Sequence, residues 1–100
     1  MKYDINDFIL KYQDADFLTL IVEVTKEVQH LDARYMRLKR NEYDEGLGYY
    51  RDHVGDFLFY LNSGMVPAGI KLTGLQKFLP IIENLVNKGQ FKPEALNVFK

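Results

Sequence analysis

The stretch that decides the fold is residues 14–41, DADFLTLIVEVTKEVQHLDARYMRLKRN. Within it Phe17, Ile21, Val24, Val28, Leu31, Tyr35 and Leu38 follow one another at steps of four, three, four, three, four and three. Such spacing is the seam of a helix lying along a nearly parallel or antiparallel neighbour. At 1.5 Å per residue it predicts a rod roughly 40 Å long, enough to span a small domain. Asp14 or Asp16 supplies a cap at its start, where a carboxylate accepts from a free backbone N–H and favours the positive end of the dipole. Leu18, Leu20 and Val22 sit beside the seam and widen the apolar stripe, which the preceding helix is expected to cover. Arg34, Arg37, Lys39 and Arg40 suit the negative end of the dipole, so the helix is expected to stop between Asn41 and Glu45.

Upstream, Asp4 can cap a short helix whose Ile5, Phe8, Ile9 and Tyr12 share one face. Downstream, Gly46 and Gly48 mark a turn, and Leu47, Tyr50, Val54, Phe57 and Leu61 resume the seam. Two helices of matching period predict an antiparallel pair. Gly55 in mid-helix costs about 1 kcal/mol against alanine and is read as a place where another backbone comes close. Asn62-Ser63-Gly64 closes this helix. Thr73-x-x-Gln76 has the form of a capping box opening a fourth, with Leu75, Phe78, Leu79, Ile82, Leu85 and Val86 as its stripe, a kink at Pro80 and a stop at Asn87-Lys88-Gly89. In the tail, Pro93 opens a short helix, with Phe91 and Leu96 spaced as a hydrophobic staple around Lys92. The expected architecture is all-α, an antiparallel four-helix bundle with a short C-terminal helical tail. It forms a single domain over residues 1–100, with helices at about 4–12, 14–41, 46–63, 73–88 and 93–99.

Composition narrows the function classes. One hundred residues at 47% hydrophobic and 14% aromatic suffice for one core. A net charge of −1 and a pI near 6.1 provide no global field to draw in nucleic acid or an anionic membrane. Without cysteine there is no disulfide framework, thiolate metal site or thiol nucleophile. No stretch of the chain is a run of eighteen apolar residues, and Met1-Lys2-Tyr3-Asp4 lacks the apolar core of a signal peptide. A soluble cytoplasmic protein is expected, with peripheral membrane association at most.

Three clusters raise the question of chemistry. Glu27-x-x-His30, with Glu23 one turn earlier, is half of a di-iron motif. The second half is missing, because Tyr49 and Tyr50, not an acid, precede His53 at the required spacing. No metal and no cofactor are expected. His53 and Asp56, one turn apart, can tune an imidazole, yet no nucleophile or phosphate loop accompanies them, so a non-catalytic protein is expected. The Arg34–Arg40 cations are diluted by Asp32, Glu42, Asp44 and Glu45, and no basic recognition helix follows, so nucleic acid is not an expected partner. What stands out instead is the apolar segment 65–72 and the tail. Met65, Val66, Ile70, Phe91, Lys92, Phe99 and Lys100 are the candidate partner-binding residues: exposed, they form an apolar patch, and folded inward, they cap the core.

Tyr35, Leu38 and Tyr43, the cluster Phe57-Leu58-Phe59-Tyr60, and Thr73-x-x-Gln76 together resemble the pattern of the pediocin-like (enterocin A type) bacteriocin immunity proteins. The resemblance covers roughly residues 31–89, and chain length, helix order and lack of cysteine are similar. It implies a cytosolic antiparallel four-helix bundle that protects its producer from a pore-forming peptide. The implied partner is a membrane sugar-permease complex with bound bacteriocin, with the C-terminal half and tail deciding which peptide is countered. The matched positions are helix-packing and capping positions, so no individual functional residue is carried over. A monomer is expected. The alternative is a small homodimeric regulatory or adaptor subunit, for which the apolar excess at Leu18, Leu20, Val22 and Phe59 speaks.

Overall fold

The computed structural model describes residues 3–37, 45–66 and 72–99. Within them the chain is all-α: α1 (Ile5–Tyr12), α2 (Phe17–Arg37), α3 (Glu45–Ser63), α4 (Leu72–Leu75), a 3₁₀ turn (Gln76–Phe78), α5 (Leu79–Asn87) and α6 (Ala95–Phe99). None of these helices is long and apolar enough to cross a membrane.

Local chemistry sets the boundaries. Asp4 caps α1, its carboxylate accepting from the Asn6 N–H at 2.8 Å. Of the two aspartates before α2, it is Asp16 that caps, accepting from the Thr19 N–H at 2.8 Å. That bond holds its carboxyl below the usual range. Gly46 and Gly48 lie inside α3 instead of preceding it, and the turn between α2 and α3 falls outside the described residues. Gly64, at φ 70°, ends α3 as expected. Gly89, at φ 71°, ends α5 in a Schellman motif: the Gln90 N–H reaches the Leu85 carbonyl and the Gly89 N–H the Val86 carbonyl.

The expected single helix over 73–88 is divided. Thr73 lies within α4, not ahead of it, and the chain tightens into the 3₁₀ turn before restarting at Leu79 with Pro80 in the first turn. Pro80 has no N–H to offer the Gln76 carbonyl, and the Leu79 N–H takes that acceptor instead, one residue closer. A proline that would have kinked a continuous helix therefore sits where prolines are best tolerated.

α2 and α3 form the central pair. Asp32 on α2 meets Arg51 on α3, while Val28 shares a groove with Gly55, Leu58 and Phe59, so the two run antiparallel. The α3 seam is buried at all five expected positions. On α2 the buried line is Leu20, Val24, Val28 and Leu31, with Phe17 and Ile21 half-buried beside it. Tyr35 departs from the expected seam. It is 42% exposed on the wall of a cleft shared with Tyr3 and Tyr49, beyond the last core layer at Leu31. Leu38 falls outside the described residues.

An aromatic cluster joins the remaining helices to this pair. Phe57 of α3 stacks on Phe78 at 4.3 Å, Phe8 of α1 meets Phe78 edge-on at 5.6 Å, and Phe99 of α6 lies 5.1 Å from Tyr60. Each such pair adds about 0.5–1.5 kcal/mol beyond the area it buries. Phe99, 1% exposed, is therefore a core residue, and the tail it ends is an integral layer of the fold.

Candidate docking surface

The structure brings four of the seven sequence-predicted residues to one end of the molecule. Met65 and Val66, just past the end of α3, are 65% and 36% exposed. Phe91 sits between Phe17 at 5.9 Å and Tyr60 at 5.8 Å, half-buried. Lys92 extends across the same corner, its Nζ donating to the Gly64 carbonyl at 3.2 Å and lying 5.8 Å from the centre of the Tyr60 ring. Phe99 does not join them, because its ring is buried beneath. Ile70 and Lys100 lie outside the described residues.

Three further side chains enlarge this end. Leu18 is 73%, Phe59 48% and Val22 42% exposed. The expectation that α1 covers Leu18 and Val22 fails, because α1 docks elsewhere: Phe8 inserts among Tyr50, Phe57 and Phe78, and Tyr12 reaches Glu27. Only Leu20 of that trio is buried. The antiparallel register then sets Leu18 and Val22, on the N-terminal half of α2, toward the same end as Phe59, Met65 and Val66. The N-terminus of α2 is pinned to the tail by the Gln90 side chain, whose Oε1 accepts from the Phe17 N–H at 2.7 Å. α5 is tied on by Asn84 and Lys88, which donate to the Ala15 and Asp14 carbonyls. Five exposed large apolar side chains lie toward this end of the α2–α3 pair, and apolar exposure of this kind is what makes it the candidate docking surface.

The candidates for chemistry resolve differently. Glu27 accepts from the Tyr50 hydroxyl at 2.7 Å and the Tyr12 hydroxyl at 3.3 Å, tying α1 and α3 to α2, while His30 is exposed. Burial first, and then the Glu27 carboxylate, push the Tyr50 phenol far above its ordinary range. Among the described residues no three acidic or imidazole side chains gather as a metal site. His53 stacks on Tyr49 at 4.0 Å with its Nδ1 on the Tyr49 carbonyl at 2.9 Å, and its Nε2 side faces Gly74, where a Cβ would collide with it. The imidazole is thus a packing element between α3 and α4, and no hydrogen bond links it to Asp56. A cleft of about 1030 Å³ opens beside Tyr3, Tyr35 and Tyr49. Its cations are engaged: Arg51 pairs with Asp32, and Lys77 donates to the Tyr49 hydroxyl at 2.9 Å. Its described lining holds no serine, threonine or cysteine.

Comparison with known protein families, with curated proteins and with solved structures gives no match.

Proposed function

We propose that this chain is a non-catalytic cytosolic binding protein of the bacteriocin-immunity type, an antiparallel four-helix bundle in which α1, α2, α3 and the broken α4–α5 unit are the four helices. The observation that carries the binding role is the exposed apolar end where the segment after α3 meets the tail, with Met65, Val66, Leu18, Val22 and Phe59 around Lys92. The immunity role draws on the residues that resemble that family, among them the Phe57–Tyr60 cluster. In this reading the apolar end engages a membrane sugar-permease complex carrying its bacteriocin and keeps the pore from conducting.

The test is expression in a bacterium sensitive to pediocin-like bacteriocins and growth across a panel of those peptides. Protection against one or a few is expected, and equal killing with and without the protein across the panel would contradict the reading. Truncation after Gly89 is the wrong control, because it removes Ala95 and Phe99 from the core. Surface substitutions at Met65, Val66 and Lys92 are the right ones.

The second reading, a small homodimeric adaptor, is favoured by the same exposure of Leu18, Val22 and Phe59. Leu18→Glu is its test by sedimentation. Leu20→Glu is not, since Leu20 is fully buried and a charge there would unfold the monomer.

A further inference from the structure

Arg51 stands between two glycines on one face of α3, Gly48 three residues before it and Gly55 four residues after. Glycine inside a helix weakens it, and each of these two borders an opening that Arg51 also lines. Gly48 lies on the cleft of about 1030 Å³ beside Tyr35 and Tyr49, and Gly55 on a groove of about 500 Å³ between α2 and α3. The guanidinium lies on the Gly55 side. The atoms a Cβ at Gly55 would meet all belong to it, the Nη1 so closely that the group would have to move. From there it makes a two-bond pair with Asp32 of α2, Nε to Oδ1 at 2.5 Å and Nη2 to Oδ2 at 3.2 Å. Both partners are in reach of water, the Arg51 side chain 33% and the Asp32 side chain 49% exposed, and a pair so placed is held weakly. Cα–Cβ bonds tilt toward the N-terminus of a helix, so the stem of Arg51 leaves α3 leaning toward Gly48, and the guanidinium has turned back along the helix to lie on Gly55. Asp32 and Asp52 also line the cleft, so a guanidinium turned to the Gly48 side stays among carboxylates.

We propose that Arg51 is a two-position lid on the α2–α3 groove, shut over Gly55 and open over Gly48, with the two glycines as its seats. A groove that needed only filling would carry alanine at position 55, which favours the helix and cannot move aside. Glycine with a long cation laid on it fills the same space removably. In the shut position two bonds to Asp32 hold the guanidinium, and in the open position the bare Gly48 backbone and the cleft carboxylates receive it. Opening uncovers the Gly55 backbone in the groove shared with Val28, Leu58 and Phe59, so the lid sets how much apolar surface Phe59 has beside it. The two positions exist with or without a ligand, and a ligand that fits only the open groove would shift the balance between them. This goes beyond the docking reading and stands without it.

The test is solution NMR of the full chain with labelled arginine and glycine, reading the nuclear Overhauser contacts from the Arg51 side chain to the Hα atoms of residues 55 and 48. The wild type is expected to show a strong contact to Gly55 and a weaker one to Gly48. In Gly55→Ala, where a methyl group takes the first seat, the contact to Gly48 is expected to rise about threefold or more. Asp32→Asn, a surface change that leaves the core alone, is expected to raise the ratio of the Gly48 to the Gly55 contact as well, and Gly48→Ala to abolish the Gly48 contact while keeping the one to Gly55. Circular dichroism checks that each variant folds. Dissolved xenon reports on the groove itself, and its shift of the Val28 methyl signals is expected to be about twofold larger in Arg51→Ala than in the wild type. No gain at Gly48 in folded Gly55→Ala and Asp32→Asn would make Arg51 a fixed strut and overturn the proposal. Equal xenon shifts with and without the Arg51 side chain would overturn it too, because the guanidinium would then cover nothing. None of these readouts involves cell protection, so the lid and the immunity reading fail separately.

Discussion

At the scale of single residues, the buried polar contacts make the sharpest predictions. Glu27 is the shared acceptor for two hydroxyls on two other helices, so Glu27→Ala leaves both without their partner in a half-buried position. A loss of about 1–3 kcal/mol is expected in urea unfolding, and Glu27→Gln, which keeps an acceptor, should lose less. Tyr60 is the opposite case: its hydroxyl is buried with no partner among the described residues. Tyr60→Phe should therefore leave stability unchanged or raise it, by about 1 kcal/mol or less. Burial raises the phenol pKa of Tyr12, Tyr50 and Tyr60. Their neutral form is favoured in the fold, so above the ordinary tyrosine value of about 10 the unfolded chain has released protons that the folded chain retains. Stability is accordingly full below that pH and falls as pH rises beyond it, which base titration followed by circular dichroism will register. Asp56 is shifted upward too, by burial and then by Asp52, so its charge opposes folding at neutral pH. Asp56→Asn should raise the thermal midpoint, and the wild type should gain the same increment as acid neutralises the group.

At the scale of elements, the tail is the part whose role changes most once the fold is known. Phe99 packs edge-on to Tyr60 and Phe57, so Phe99→Ala should cost about 3–5 kcal/mol, and removal of the residues after Gly89 should abolish cooperative unfolding. Gly55→Ala should come out near neutral, because up to about 1 kcal/mol of helix propensity is set against pushing the Arg51 guanidinium off its Asp32 pair. α3 was legible because its five seam residues are all buried, with Tyr60 beside them, although Tyr49 and Phe59 on the same helix face outward. α2 was legible as a helix and in most of its face, since Val24, Val28 and Leu31 of the expected seam are buried and Phe17 and Ile21 pack beside them. The spacing alone marked Tyr35 as readily as Leu20, and only the layers that surround a helix decide which flank of the stripe is covered. The break at Pro80 was visible as a disturbance. Its outcome was not, since a proline can kink a helix or begin one, and the choice rests on whether the Gln76 carbonyl finds a nearer donor. Of the surface residues, Met65 and Val66 could be read from an apolar segment following a cap, whereas the exposure of Leu18 and Val22 depends on where α1 docks, a long-range fact.

At the scale of the whole molecule, rigidity and exposure are concentrated in different places. Aromatic packing and the Glu27 contacts hold the helices about one core, and no polar or charged residue is buried among those described. The apolar end stands outside that core, so Leu18→Ser, Val22→Ser and Met65→Ser should each change stability by no more than about 0.5 kcal/mol. Side chains that are large, apolar and exposed without serving the core are what the proposed binding role would use. The measurement that bears most directly on that use compares protection from pediocin-like bacteriocins by the wild type and by the folded Leu18→Ser/Val22→Ser/Met65→Ser triple variant at equal expression. The account predicts that the wild type protects against at least one peptide and that the triple variant, still cooperatively folded, does not. Protection by the triple variant equal to that of the wild type, or none from the wild type against any peptide, would contradict it.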